Sequence, residues 1–82
     1  MEKGQKVILN PRVLQSSEEF IQQIIAIGEV VCTVLARTGI GVCTLLLPEG
    51  VTIQAHSHPF PDGSYKGQHY LDIHEMHLQP AP

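Results

Sequence analysis

The chain has 82 residues, of which 43% are hydrophobic and only 5% aromatic, and its formal net charge is −3. A chain of this length forms one domain, here residues 1–82, and its aliphatic composition excludes an intrinsically disordered protein. The five Lys and Arg residues are scattered, so no basic run is available to neutralise successive phosphates of a nucleic acid.

The chain begins without the apolar segment of a secretory signal, and Glu29 and Arg37 interrupt the apolar stretch 20–47 before it could span a bilayer. The sequence therefore predicts a soluble, cytoplasmic protein that does not enter membranes. Cys32 and Cys43 lie among apolar residues and are predicted to be reduced core residues. A Cys32–Cys43 disulfide is the alternative.

The first predicted elements are a strand from Lys6 to Asn10 and a helix that begins at Ser16. Glu19 follows Ser16 by three residues, which is the spacing of a capping box. The end of this helix has two interpretations. Gly28 could cap a helix that ends at Ile27, because the β-branched run that follows is typical of a strand.

The hydrophobic period favours a longer helix. Over residues 18–37, polar side chains gather on one side of a helical projection and apolar ones on the other, without the alternation of a strand. We therefore predict one long amphipathic helix that extends to about Arg37, with Gly39 as its stop.

After Gly39, apolar runs alternate with turn-forming segments rich in Gly and Pro. Three of the runs are predicted to be strands, and the second of these is amphipathic. The segments are a strand Ile40 to Leu47, a turn Pro48 to Gly50, a strand Val51 to His58, a loop Pro59 to Gly67, a strand Gln68 to Leu78 and a disordered tail over 79–82.

The order β-α-β-β-β predicts an α+β fold in which the helix packs on one face of a mostly antiparallel sheet. The strand from Ile40 to Leu47 is apolar on both faces, and one helix covers only one of them. We therefore predict that a second copy of the chain covers the other face, which makes the protein a homo-oligomer. A strongly coiled sheet that wraps its own second face is the alternative.

All five histidines lie between residues 56 and 77. His56 and His58, two apart on the predicted strand, would project from one face with Cα atoms about 6.5–7 Å apart. This spacing lets both bind one metal ion, and His74 or Glu75 could complete a site for a divalent transition metal. The alternative is that the histidines are exposed and form hydrogen bonds with backbone or water.

The loop beside these histidines predicts a second kind of site. A non-enzymatic binding protein would capture a small polar or anionic ligand, or a protein partner, with hydrogen-bonding and aromatic side chains. We expect an enzyme less, because no nucleophile elbow surrounds the serines and the cysteines lie in apolar segments. The predicted ligand-binding residues are His56, His58, Tyr65, Lys66 and His69.

The run from Leu47 to Pro59, with Gly50 before His56-Ser57-His58, resembles the first metal-binding motif of the cupins. The resemblance covers only these residues. It implies metal ligands at His56 and His58 and an acidic ligand at Asp62. The alternative function is accordingly a cupin-like metal-binding protein or metal-dependent enzyme.

Overall fold

The computed structural model describes residues 2–10 and 18–82 and has an α+β fold, as predicted. The strands form one sheet in the order β4-β5-β3-β2-β1-β6, and every neighbouring pair is antiparallel. In the described ranges the elements are β1 (Lys6–Leu9), α1 (Glu18–Ile27), β2 (Val30–Gly39), β3 (Val42–Leu46), β4 (His58–Pro59), β5 (His69–His74), a 3-10 helix (Glu75–His77) and β6 (Leu78–Pro80).

The helix is shorter than predicted, because it ends at Ile27 and the next ten residues form β2. Gly28 has a φ of +87° and donates its N–H to the Ile24 carbonyl at 2.9 Å, which terminates the helix. The predicted capping box at Ser16 lies outside the described residues. α1 has neither the length nor the apolar content to cross a bilayer, and it is the only α-helix in the described ranges.

The strand β2 was wrongly interpreted as a continuation of the helix because both of its faces carry apolar residues. Val30 and Cys32 face the core, whereas Val31, on the opposite face, is 48% exposed. β2 pairs with β1 through residues 30–33 and with β3 through residues 33–39. Long-range pairing and β-branched side chains together outweigh the helical periodicity.

Residues 51–57 do not form the predicted amphipathic strand, and only His58 and Pro59 pair with β5. A turn replaces it, in which the N–H groups of His56 and Ser57 both donate to the Ile53 carbonyl, at 3.0 and 2.8 Å. Ala55 adopts a left-handed conformation with a φ of +68°. Ile53 is nevertheless fully buried.

The last predicted strand is divided. The 3-10 helix follows β5 directly, and the chain then returns to the opposite edge of the sheet as β6. Gln79 and Pro80, predicted to begin a disordered tail, pair with Ile8 and Val7 of β1.

The sheet is strongly bent, as its connections require. His74 lies near the level of the Gly39 end of β2, whereas Leu78 lies at the level of Val30, the other end. In a flat sheet these levels would be roughly 30 Å apart, but the linker between His74 and Leu78 spans at most about 14 Å. Two register shifts between β2 and β3 mark where the ladder bends. This geometry matches the coiled-sheet alternative, and self-association stays a prediction.

The bent sheet encloses one core. Its inner face, the apolar side of α1 and the turn at residues 51–57 contribute aliphatic side chains, with Phe20 as the aromatic member. The fully buried side chains include Val7, Leu9, Ile24, Val34, Cys43, Leu45, Leu47 and Ile53.

Cys32 and Cys43 are buried and unpaired, which confirms that they are reduced core residues.

Burial raises the pKa of the Cys32 thiol from 9.0 to about 12. Because the unfolded thiol ionises first, the contribution of Cys32 to stability is complete below pH 9 and falls as the pH rises towards 12. Urea unfolding at pH 8 and pH 10 should therefore show a smaller loss of stability for Cys32→Val than for the wild type. An equal loss in both proteins would contradict this assignment.

Candidate functional site: a histidine-lined cleft

A cleft of about 210 Å³ lies between the start of α1, the turn at residues 53–57, the strand β5 and the 3-10 helix. We call it the histidine cleft, because three imidazoles line it above apolar side chains. Its lining residues are Phe20, His56, Leu71, Asp72, Ile73, His74 and His77.

His56 is positioned by the turn and by α1. Its ring meets Phe20 edge-to-face, with the ring centroids 4.7 Å apart. The turn is attached to the helix by Gln23, whose side chain accepts the Gln54 N–H at 2.7 Å and donates to the Gln54 carbonyl at 3.1 Å. The Gln23 amide thus pairs with the backbone as a neighbouring strand would, and it holds His56 over the start of the helix.

His74 and His77 form the other wall, with ring centroids 6.5 Å apart. His74 Nδ1 accepts the Met76 N–H at 3.2 Å and caps the 3-10 helix. This hydrogen bond requires an unprotonated Nδ1, so His74 carries its proton on Nε2. The ring of His74 also lies against Gly41, where a side chain would collide with it.

Asp72 carries the one carboxylate of the cleft lining. Its carboxylate accepts a short hydrogen bond from the hydroxyl of Thr44, the residue directly opposite on β3. Among the lining residues, the other ionisable groups are the imidazoles. The histidine cleft therefore favours a ligand that carries negative charge or hydrogen-bond acceptors.

Four aromatic rings form a second cluster beside β4, which we call the aromatic cluster. Phe60 lies 4.9 Å from Tyr65 and 5.1 Å from Tyr70, and His58 lies 5.6 Å from Tyr70, measured between ring centroids. Tyr65 has a φ of +49° and is 47% exposed. These contacts fix the loop to the sheet, and His58 belongs to them rather than to the histidine cleft.

The loop that carries Lys66 is built of tight turns. The N–H of Ser64 donates to the Asp62 carboxylate at 2.9 Å, which holds the pKa of this carboxyl below its ordinary value. The N–H of Gln68 donates to the Tyr65 carbonyl at 2.8 Å. Lys66, between these turns, is exposed.

His69 contacts Ser57, with 3.1 Å between Nδ1 and the hydroxyl oxygen. A serine beside a histidine is the arrangement of an activated nucleophile. Here, however, the Ser57 hydroxyl also accepts the Ile53 N–H at 2.8 Å and lies 3.2 Å from the Ile53 carbonyl. These bonds make Ser57 a part of the turn, and His69 supports it.

The predicted metal ligands do not lie together. His56 faces Phe20, His58 faces Tyr70, and Glu75 lies 3.8 Å from the Arg37 guanidinium. Across residues 2–10 and 18–82, no three His, Cys, Asp or Glu side chains lie close enough together to hold a metal ion. The turn at Ile53–Ser57 is the reason, because it breaks the alternation that would have placed His56 and His58 on one face.

Of the predicted site residues, the cleft therefore unites only His56 and His74. His58 and Tyr65 lie in the aromatic cluster, His69 supports the turn, and Lys66 is in the loop. Five lining residues were outside the predicted set, and two of them, Phe20 and His77, are far apart in the sequence. No local pattern links them, because their proximity follows from the bend of the sheet.

The chain matches no protein-family model, no curated protein and no solved structure. The resemblance of residues 47–59 to a cupin motif stays a prediction.

Proposed function

We propose that the protein is a non-enzymatic binding protein whose histidine cleft holds the anionic or polar group of a ligand or partner. The observation that carries this proposal is the convergence of three imidazoles over an apolar floor made by Leu71, Ile73 and Phe20. Binding sites commonly combine apolar walls with a few convergent polar groups, as this cleft does.

An NMR titration with sodium acetate, and with acetamide as its neutral counterpart, tests the proposal. We expect acetate to shift the ring resonances of His56 and His77, and acetamide to shift them far less. His56→Ala should weaken acetate binding about fivefold, because a charge-assisted hydrogen bond is lost. His58→Ala distinguishes the two sites. If this change abolishes binding while His56→Ala does not, the ligand lies at the aromatic cluster and the cleft assignment is wrong.

We also propose that the protein self-associates through the outer face of β2. Val31 is 48% exposed near the start of this strand, and Ile40, at the tip of the β2–β3 hairpin, is 99% exposed. Apolar side chains in such positions are commonly covered by a second subunit.

Val31→Lys tests this interface, because it places a charge on the outer face of β2. Native mass spectrometry should find an oligomer for the wild type and a monomer for Val31→Lys. The control is Thr52→Lys, which adds the same charge at an exposed position after β3 and should leave the oligomer intact. A wild-type protein that is monomeric at all concentrations would refute the interface.

A further inference from the structure

The histidine cleft follows the edge of β5 rather than one of its faces. Four consecutive residues, Leu71 to His74, line it. Successive side chains of a strand point to opposite faces of the sheet, so no cleft over a single face would contact all four. The strand therefore presents its backbone, as well as its side chains, to the cleft.

The β3–β5 ladder identifies the backbone groups that point into the cleft. The Leu47 N–H donates to the His69 carbonyl at 3.0 Å, and the Glu75 N–H donates to the Gly41 carbonyl at 2.7 Å. Opposite residues of an antiparallel pair alternate between bonded and non-bonded positions, so residues 69, 71, 73 and 75 direct their backbone groups towards β3. Asp72 and His74 consequently direct their N–H and C=O groups away from β3, along the cleft.

This part of the edge has no strand partner within the described ranges. β4 pairs with β5 only at His69 and Tyr70. The chain before β4 does not continue along the edge, because the turn at Ile53–Ser57 directs it towards α1. Its departure leaves a gap with Asp72 and His74 on one side and Phe20 and His56 on the other.

We propose that an extended peptide segment bearing a carboxylate side chain binds in this gap as an added strand of the sheet. Its backbone would pair with Asp72 and His74, and its carboxylate would accept hydrogen bonds from the imidazoles of the cleft. Two observations select this occupant. The unpaired edge matches the periodicity of an extended backbone, and three imidazoles against one carboxylate line the gap.

The size of the cleft also favours part of a longer ligand. Pockets that enclose a whole drug-sized molecule measure about 300–1,000 Å³, whereas this cleft measures about 210 Å³. An inserted strand would occupy it with a few residues and continue beyond it. The inference rests on the proposed function, because it names the ligand class of the same cleft.

The test uses a five-residue peptide of alternating threonine and valine around a central glutamate, acetylated and amidated at its ends. Binding is followed by backbone amide shifts and hydrogen exchange. We expect the Asp72 and His74 amides to exchange about tenfold more slowly when the peptide is bound. A matched peptide, N-methylated on the amides that face β5, should bind about tenfold more weakly, because it cannot pair as a strand. A glutamine in place of the glutamate should also weaken binding.

The outcomes separate this inference from the proposed function. If acetate binds the cleft but the N-methylated and unmodified peptides bind equally, the cleft holds an anion and strand addition is wrong. If neither acetate nor peptide binds, both proposals fail. If the Asp72 and His74 amides are already protected in the free protein and lose this protection on dilution, a second copy occupies the edge, and the peptide proposal is overturned.

Discussion

Replacement of Leu45 by alanine is expected to lower the free energy of unfolding by about 2–5 kcal/mol, the range for a buried leucine. Leu45 is fully buried and lies in β3, opposite Val34 on one neighbouring strand and Leu71 on the other. A small domain has about 5–15 kcal/mol of stability in total, so this one change removes a large part of it. Urea unfolding followed by circular dichroism measures the effect.

Leu46→Ala is the matched control, because the same side chain is shortened at the next position. Leu46 points to the outer face and is only partly buried. We expect it to cost less than half as much as Leu45→Ala, because less apolar area is lost and solvent fills the space. An equal loss of stability in the two variants would mean that the outer face is as enclosed as the core. A single bent sheet does not enclose its outer face, whereas self-association would.

Replacement of Gly41 by alanine is expected to disable the histidine cleft. A Cβ atom at Gly41 would lie 2.5 Å from His74 Nε2 and 2.8 Å from its Cε1, so the imidazole must move. Its displacement breaks the hydrogen bond from the Met76 N–H and removes one wall of the cleft. The φ of +72° at Gly41 adds a backbone cost of about 1–2 kcal/mol for any residue with a Cβ.

Gly50→Ala separates the two effects. Gly50 has a similar φ of +81°, but a Cβ there meets no atom within 4 Å. Both variants should be less stable because of the backbone cost of a positive φ. Gly41→Ala should lose about 1 kcal/mol more stability, because it also loses the hydrogen bond from the Met76 N–H to His74. Acetate affinity should fall about tenfold in Gly41→Ala and remain unchanged in Gly50→Ala, as measured by NMR titration. Equal affinities in the two variants would show that His74 does not contribute to binding.

The helix illustrates why local periodicity was insufficient. Residues 18–27 are helical in agreement with the pattern, but the same apolar period continues into Val30 and Val31, which are strand residues. The period persists because the half-exposed outer face of β2 is apolar as well, so the alternation that identifies a strand is hidden. Gly28 was the correct signal, but β1, one of the two strands that pair with β2, is distant from β2 in sequence.

The site shows a similar division. Clustering of all five histidines within residues 56–77 was visible in the chain, and three of the five line the histidine cleft. The arrangement of the histidines in space was not visible. His56 and His58 are two residues apart, but the turn at Ile53–Ser57 places the ring of His56 against Phe20 and leaves that of His58 against Tyr70. Phe20 was recognisable as an apolar helix residue, but nothing near it indicates that its ring meets His56.

Local composition and order are sufficient for the α+β class, the strands β1 and β3, the buried reduced cysteines and the loop after Pro59, because each is recognisable from neighbouring residues in the chain. The end of the helix, the pairing of Gln79 and Pro80 with β1, and the cleft at the β5 edge depend on contacts between distant segments. Those contacts arise from the bend of the β2–β3 hairpin. Backbone hydrogen bonds and core packing set that bend together, and neither can be evaluated from one segment alone.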